Sequence, residues 1–240
     1  LQNGDGQVAV RETERDNGGE VEFRVLGPLE VSAAGRPLSL GGRKQRTLLA
    51  LFVLNANQAV PRDRLIDALW GERPPAEAEA NLRVYVARLR KLLAVEANGP
   101  ALETSARGYV LRVAPDTVDL TRFRRLVAAG EFAHALQLWR GPALADLTDN
   151  DWARHESDAL EELRLNALEE RLDTDLAAGR DSEVVPELEA LVAEHPYRER
   201  FVAQLMLALY RCGRQPDALA AYGRLRTALH DEFGLEPTQR

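Results

Sequence analysis

Cysteine is nearly missing from this 240-residue chain. Cys212 stands alone, which excludes an intrachain disulfide framework, and inside an apolar helical run it reads as a small buried residue. Lysine is almost as scarce, with Lys44 and Lys91 the only two among 31 basic side chains. Arginine abundance is therefore a habit of composition and says little by itself about phosphate binding. No apolar run approaches the roughly 20 residues that cross a bilayer, and Leu1–Glu20 is polar and acidic, unlike a secretory signal. A cytoplasmic protein with no membrane partner is expected. A chain opening on Leu1 is also expected to begin downstream of its native start.

Catalytic patterns are lacking as well. His134, His155, His195 and His230 are far apart, without an HExxH or Cys/His cluster, and read as solvated or interfacial side chains. Gly41-Gly42-Arg43-Lys44 lacks the spacing of a phosphate-binding GxxxxGK[ST] loop. Glu161-Glu162 and Glu169-Glu170 fit helix-surface charge. Neither an enzyme, a metal nor a cofactor is expected.

What is present is an uneven distribution of charge. The net charge is −7, yet residues 21–115 hold 14 basic against 9 acidic side chains, while residues 116–240 hold 15 against 24. Residues 1–20 contribute 2 against 5, with four glycines, and read as a flexible tail. Two domains, 21–115 and 116–240, follow from the reversal near Pro115. Attraction to phosphate acts within a Debye length of about 8–10 Å, so an acidic whole is compatible with a basic part that binds nucleic acid.

The basic part contains PAEAEANLRVYVARLRKLL, starting at Pro75. With Asn81 at zero and about 100° per residue, Leu89, Leu82, Leu93 and Val86 cluster between roughly 80 and 140°. Arg83, Ala87, Lys91, Val84 and Arg88 spread over roughly 200 to 340°. One face is core; the other is basic with small residues, which lets a helix backbone approach base edges. A solvated basic face fits the same residues, as does pairing of Arg83 with Glu79. LETSARGYVLRV then reads as two short strands joined at Ala106-Arg107-Gly108, with Leu102, Tyr109, Val110 and Leu111 in sheet contacts. Arg107 at the tip is placed for a minor groove or a phosphate, or is an ordinary turn charge.

Upstream, VEFRVLGPLEVSAAGRPLSL predicts a small antiparallel sheet. A helix is expected over Arg43–Asn55, with Leu48, Leu49, Leu51 and Phe52 inward, and another over Asp63–Trp70, with Leu65, Ile66, Leu69 and Trp70 inward. Arg43, Lys44 and Arg46 crowd the first turn of the earlier helix, where positive charge opposes the dipole and a bound phosphate would relieve it. The third helix should start near Pro75 or Ala76. From Val118 onward the chain is helical and repetitive. Gly179 and Gly213, in matching segments, lie 34 residues apart, Leu188 and Tyr222 share that spacing, and LVAAGEFAHALQLW around Gly130 is a more divergent copy. Thirty-four residues is the tetratricopeptide period, whose helix pairs stack and leave a surface for protein contacts; a plain bundle is the alternative. The fold class is mainly α with small β-sheets, a winged helix-turn-helix followed by an all-α, tetratricopeptide-like repeat domain.

VLGPLEV, GGRKQRTLLALFVLNAN, LIDALWGERPP, NLRVYVARLRKLL and ARGYVL, in that order, resemble the DNA-binding domain of the Streptomyces antibiotic regulatory protein family. The remainder, ending DALAAYGRLRTALHDEFGLEPT, resembles its bacterial transcriptional activation domain. The resemblance spans about residues 21–238. It implies a transcriptional activator, often of secondary metabolism, with an OmpR-like winged helix on direct repeats near promoter −35 elements. The implied partners are double-stranded promoter DNA, RNA polymerase holoenzyme and a second copy of the chain on those repeats. Carried onto matching positions, the DNA-facing set is Arg83, Tyr85, Arg88, Arg90, Lys91 and Arg107. By angle, Tyr85 and Arg90 fall at the margins of the core stripe, at about 40 and 180°. The competing functional reading is a repeat scaffold whose basic module holds nucleic acid without sequence preference.

Overall fold

The computed structural model describes residues 21–94 and 99–238. The expected tail of residues 1–20 lies outside them. The chain divides into two units. Among the described residues, the first holds 21–25 and Leu29–Val118, the second Leu26–Pro28 and 119–238.

In the first unit, alternation buries Val21 and Phe23 of β1 (Val21–Arg24) and Val31 and Ala33 of β2 (Glu30–Ala33). The two pair antiparallel, and β2 turns into β3 (Arg36–Pro37) through Ala34 and Gly35, both at positive φ as a two-residue hairpin turn requires. In α1 (Arg43–Leu54) seven consecutive residues, Thr47–Val53, are buried, so this helix is the hub of the unit. The run Ala59–Pro61 is a strand, β4, leading into α2 (Arg62–Trp70) and then α3 (Ala78–Leu93). β5 (Ala101–Ser105) and β6 (Gly108–Arg112) form the hairpin, and β4 completes a sheet in the order β4-β6-β5. Gly108 allows this closure, since a Cβ there would lie 2.0 Å from the Val60 carbonyl oxygen.

Three expectations change. α3 begins at Ala78, because Pro75–Glu77 make a turn in which the Ala78 amide donates to the Pro75 carbonyl at 3.0 Å. In α2 it is Ala68, with Leu65 and Leu69, that is buried, whereas Ile66 and Trp70 are half-exposed. Cys212 is exposed, because it caps the end of a helix.

The second unit runs α4 (Asp119–Ala128), α5 (Phe132–Leu136), α6 (Asp151–Ala177), α7 (Asp181–Glu194), α8 (Glu199–Arg211) and α9 (Gln215–Phe233). Its main core joins α6 to α9 through Leu172, Leu188, Phe201, Leu205, Ala208 and Leu225. Gly130, Gly179 and Gly213 have φ of 75, 75 and 77°, and each ends a helix in the same way. The residue after each glycine donates its amide to the carbonyl five positions back: Glu131 to Leu126, Arg180 to Asp175, and Arg214 to Leu209. The three helix–glycine–helix segments thus share one turn geometry. They are not equivalent throughout: Leu188 is buried, while Tyr222 stands 41% exposed. The buried residues of α9 are Ala218, Ala221, Leu225 and Leu229, a narrow seam that leaves Tyr222 outside.

Candidate nucleic-acid interface

The reading helix is placed by its own sequence pattern. Leu82, Val86, Leu89 and Leu93 of α3 are all but fully buried, and Arg83, Val84, Ala87, Arg88 and Lys91 are exposed on the opposite side. This is the division that 100° steps give.

One flank of α3 is fastened to the hairpin. The Arg90 Nε donates to the Leu102 carbonyl at 2.6 Å and its Nη2 to the Thr104 hydroxyl at 2.8 Å, with the guanidinium 5.9 Å from the Tyr109 ring. Arg90 thereby pins the helix to β5. The other flank meets the first turn of α1. There the Lys44 ammonium lies 4.5 Å over the Trp70 ring, which in turn packs 6.4 Å from half-buried Tyr85, so one stack ties α1, α2 and α3 together. Farther along this flank, Ser39, Leu40, Gly41 and Gln45 face Arg88, Lys91 and Leu92 across an open hollow of about 380 Å³.

The candidate cations therefore fall into two groups. Arg46 is half-buried and donates to the Leu29 carbonyl at 3.2 Å, and Arg43 is exposed at the start of α1. With Lys44 and Arg90 held as above, these side chains stand around the helix rather than on its free face. Arg83, Arg88 and Lys91 stand on that face, and Arg107 is exposed at the hairpin tip. None of these four makes an ion pair among the described residues, and the Arg83–Glu79 pair does not form. Uncompensated positive charge thus stands on the free face of α3 and on the wing, where it attracts a polyanion.

The sequence reading missed the anchoring role of Arg90 and the Lys44–Trp70–Tyr85 stack. The angle of Arg90, at the edge of the core stripe, was the available signal for the first. The stack joins residues from three helices, and no local spacing reports it. Among the described residues no cluster of His, Cys, Asp and Glu is arranged to hold a metal, and no helix is long and apolar enough to cross a membrane.

Comparison with known proteins matches residues 118–240 to the bacterial transcriptional activator domain and residues 35–111 to the C-terminal domain of transcriptional regulatory proteins. The chain is 41% identical over 233 residues to the transcriptional regulatory protein EmbR of Mycobacterium tuberculosis, covering 90% of this chain and 60% of EmbR. It is 39% identical over 241 residues to the regulatory protein DnrI of Streptomyces peucetius, covering 92% of this chain and 89% of DnrI. A solved structure of EmbR, in complex with a low-affinity phosphopeptide, is similar with a TM-score of 0.84 at 40% identity, over 92% of this chain and 62% of that one. The chain thus spans about three-fifths of EmbR and most of DnrI.

Proposed function

The chain belongs to the Streptomyces antibiotic regulatory protein family of bacterial transcriptional regulators, an OmpR-like winged helix joined to a bacterial transcriptional activator domain, and from that membership we propose that it is a sequence-specific, DNA-binding transcriptional activator. One observation carries the reading: the cations of the free α3 face and the wing tip have no carboxylate partner among the described residues. Such cations release counterions when they meet phosphate, which supplies affinity. In this reading α3 enters the major groove, with Arg83 and Arg88 at its edges able to meet guanine O6 and N7. Lys91 and Arg107 hold the backbone or the neighbouring minor groove. Tyr85, Arg90 and Lys44 position the helix, and Arg46 and Arg43 support its flank.

Residues 21–115 serve as the DNA-binding domain and 116–240 as the activation domain. We assign the protein to the cytoplasm at the nucleoid, with direct repeats near −35 elements as its sites, a second copy of the chain on the adjacent repeat, RNA polymerase as its protein partner and secondary-metabolite genes as its targets. Genome-wide mapping of bound DNA, followed by a nuclease footprint and transcription in vitro, tests this. The expected result is protection of paired repeats upstream of a start site and transcription that depends on the protein. Binding indifferent to sequence, with no effect on transcription, would contradict it.

A further inference from the structure

The free face of α3 is not uniformly basic. Ala80, Val84 and Ala87 are all exposed and follow one another at i, i+4 and i+7, so they form a stripe along the middle of the face, flanked by Arg83 and Arg88. Val84 is 47% exposed. Among the described residues it is the one large hydrophobic side chain of the first unit that stands out in this way; the others are all in the second unit. The core seam of Leu82, Val86, Leu89 and Leu93 lies on the opposite side, so Val84 is not part of the packed core of the domain. Helix formation does not favour it either, because a β-branched residue is a poorer helix former than the alanines beside it.

Resting on the DNA-binding reading above, we infer that Val84 is a specificity-determining residue that packs against the 5-methyl group of a thymine in the major groove. The chemistry of the groove selects this occupant. Guanine presents O6 and N7, adenine N7 and an amino group, and cytosine an amino group; thymine alone adds an apolar methyl. Valine against any of the polar edges would strip it of water and return no hydrogen bond, so the side chain rejects those bases as well as favouring thymine. Its χ1 is stiff, so two methyl groups are presented in a fixed position with little entropy to lose. Ala80 and Ala87, one turn to either side, add no bulk that would hold the backbone away from the base edge. The flanking arginines supply attraction and register, leaving Val84 to discriminate at the base pair between them.

The test uses the whole chain and a duplex selected by it from random-sequence DNA. Each thymine of the selected duplex is replaced in turn by deoxyuridine, which removes the methyl and leaves the hydrogen-bonding edge intact. For the wild-type protein, one replacement per bound copy should weaken binding about fourfold, the value of one buried methyl group. Val84→Ala should bind the thymine and deoxyuridine duplexes equally, and its unchanged thermal unfolding would verify the fold. An enriched duplex in which no replacement affects wild type, or in which Val84→Ala remains as sensitive as wild type, overturns the inference while leaving sequence-specific binding in place. Selection that enriches no sequence overturns both.

Discussion

Most arginines on and between α6 to α9 are matched by carboxylates, whereas the cations of the free α3 face and the wing tip are not. In the helical unit Arg154, Arg164, Arg171, Arg180, Arg198, Arg200, Arg211, Arg214 and Arg226 each reach a carboxylate of the same unit. Glu169 of α6, with a side chain only 7% exposed, accepts from the Arg198 Nε at 2.6 Å and from Arg200 at 3.3 Å, and the Gln204 amide donates to the Glu169 carbonyl at 2.8 Å. Burial works against the charge on Arg198 and Arg200, but the hydrogen bonds that Arg198 donates to Glu162 and Glu169, and that Arg200 donates to Asp173 and Glu170, prevail and raise both pKa values. In the winged unit Arg83, Arg88, Lys91 and Arg107 meet no carboxylate among the described residues. A cation already matched by a fixed anion has little pull on phosphate, whereas an unmatched one has its full field. Partner geometry, not arginine content, separates the surface that attracts DNA from the helices that arginine clamps together.

Arg198→Ala attacks the clamped side of that contrast and should have the largest effect. It leaves Glu169 buried with one remaining cation and removes bonds to Glu162 and Asn166, so the unfolding free energy of the helical unit should fall by about 3 kcal/mol. Urea denaturation measures it, and a loss below about 1 kcal/mol would mean that Arg200 satisfies the site alone. Arg88→Ala attacks the other side. Promoter affinity should drop by about 1–3 kcal/mol, with a smaller change on random DNA and unfolding within about 0.5 kcal/mol of wild type. A folded variant with an unaltered footprint and affinity would remove Arg88 from the interface.

Arg107→Ala should sharpen the distinction between holding and reading. The dependence of binding on salt should become shallower by roughly one unit while sequence preference persists, as measured by titrations at several salt concentrations. An unchanged slope returns Arg107 to an ordinary turn charge. The smallest effect belongs to Arg226→Ala. The hydrogen bond from Arg226 lowers the pKa of Glu236, so this pair contributes at neutral pH and its contribution is lost as pH falls through that lowered value. Without Arg226 the carboxyl titration should move up toward the ordinary value of about 4.3, seen by NMR, while unfolding curves hardly move because both side chains are well exposed. A titration that stays in place would show that the pair is not formed in solution.

Helical spacing gave the buried seam and free face of α3 at once, because the 3.6-residue period fixes which residues share a side. The turn glycines were legible for a similar reason: positive φ at Gly130, Gly179 and Gly213 is a local need with a local signature. Pairing of β4 with β6 was not legible, since Val60 and Tyr109 stand 49 positions apart in the chain. At the site, a list of cations was readable but their partners were not. Arg90 resembles Arg88 in the sequence; only its bonds to Leu102 and Thr104 show that it braces the helix. The angle of Val84 put it on the free face, where it read only as a small residue beside the cations; that it stands out as the exposed large hydrophobic side chain of the first unit among the described residues is visible only in the fold.

The most direct measurement compares two multiple variants of the whole chain on a selected duplex by gel shift. One replaces Arg83, Arg88, Lys91 and Arg107 by alanine; the other replaces three carboxylate-paired surface arginines, Arg154, Arg214 and Arg226. If unmatched charge makes the interface, the first variant should lose on the order of a thousandfold in affinity while keeping its thermal unfolding, and the second should bind as wild type does. Wild-type affinity in the first variant, or loss of binding in the second, would contradict the account.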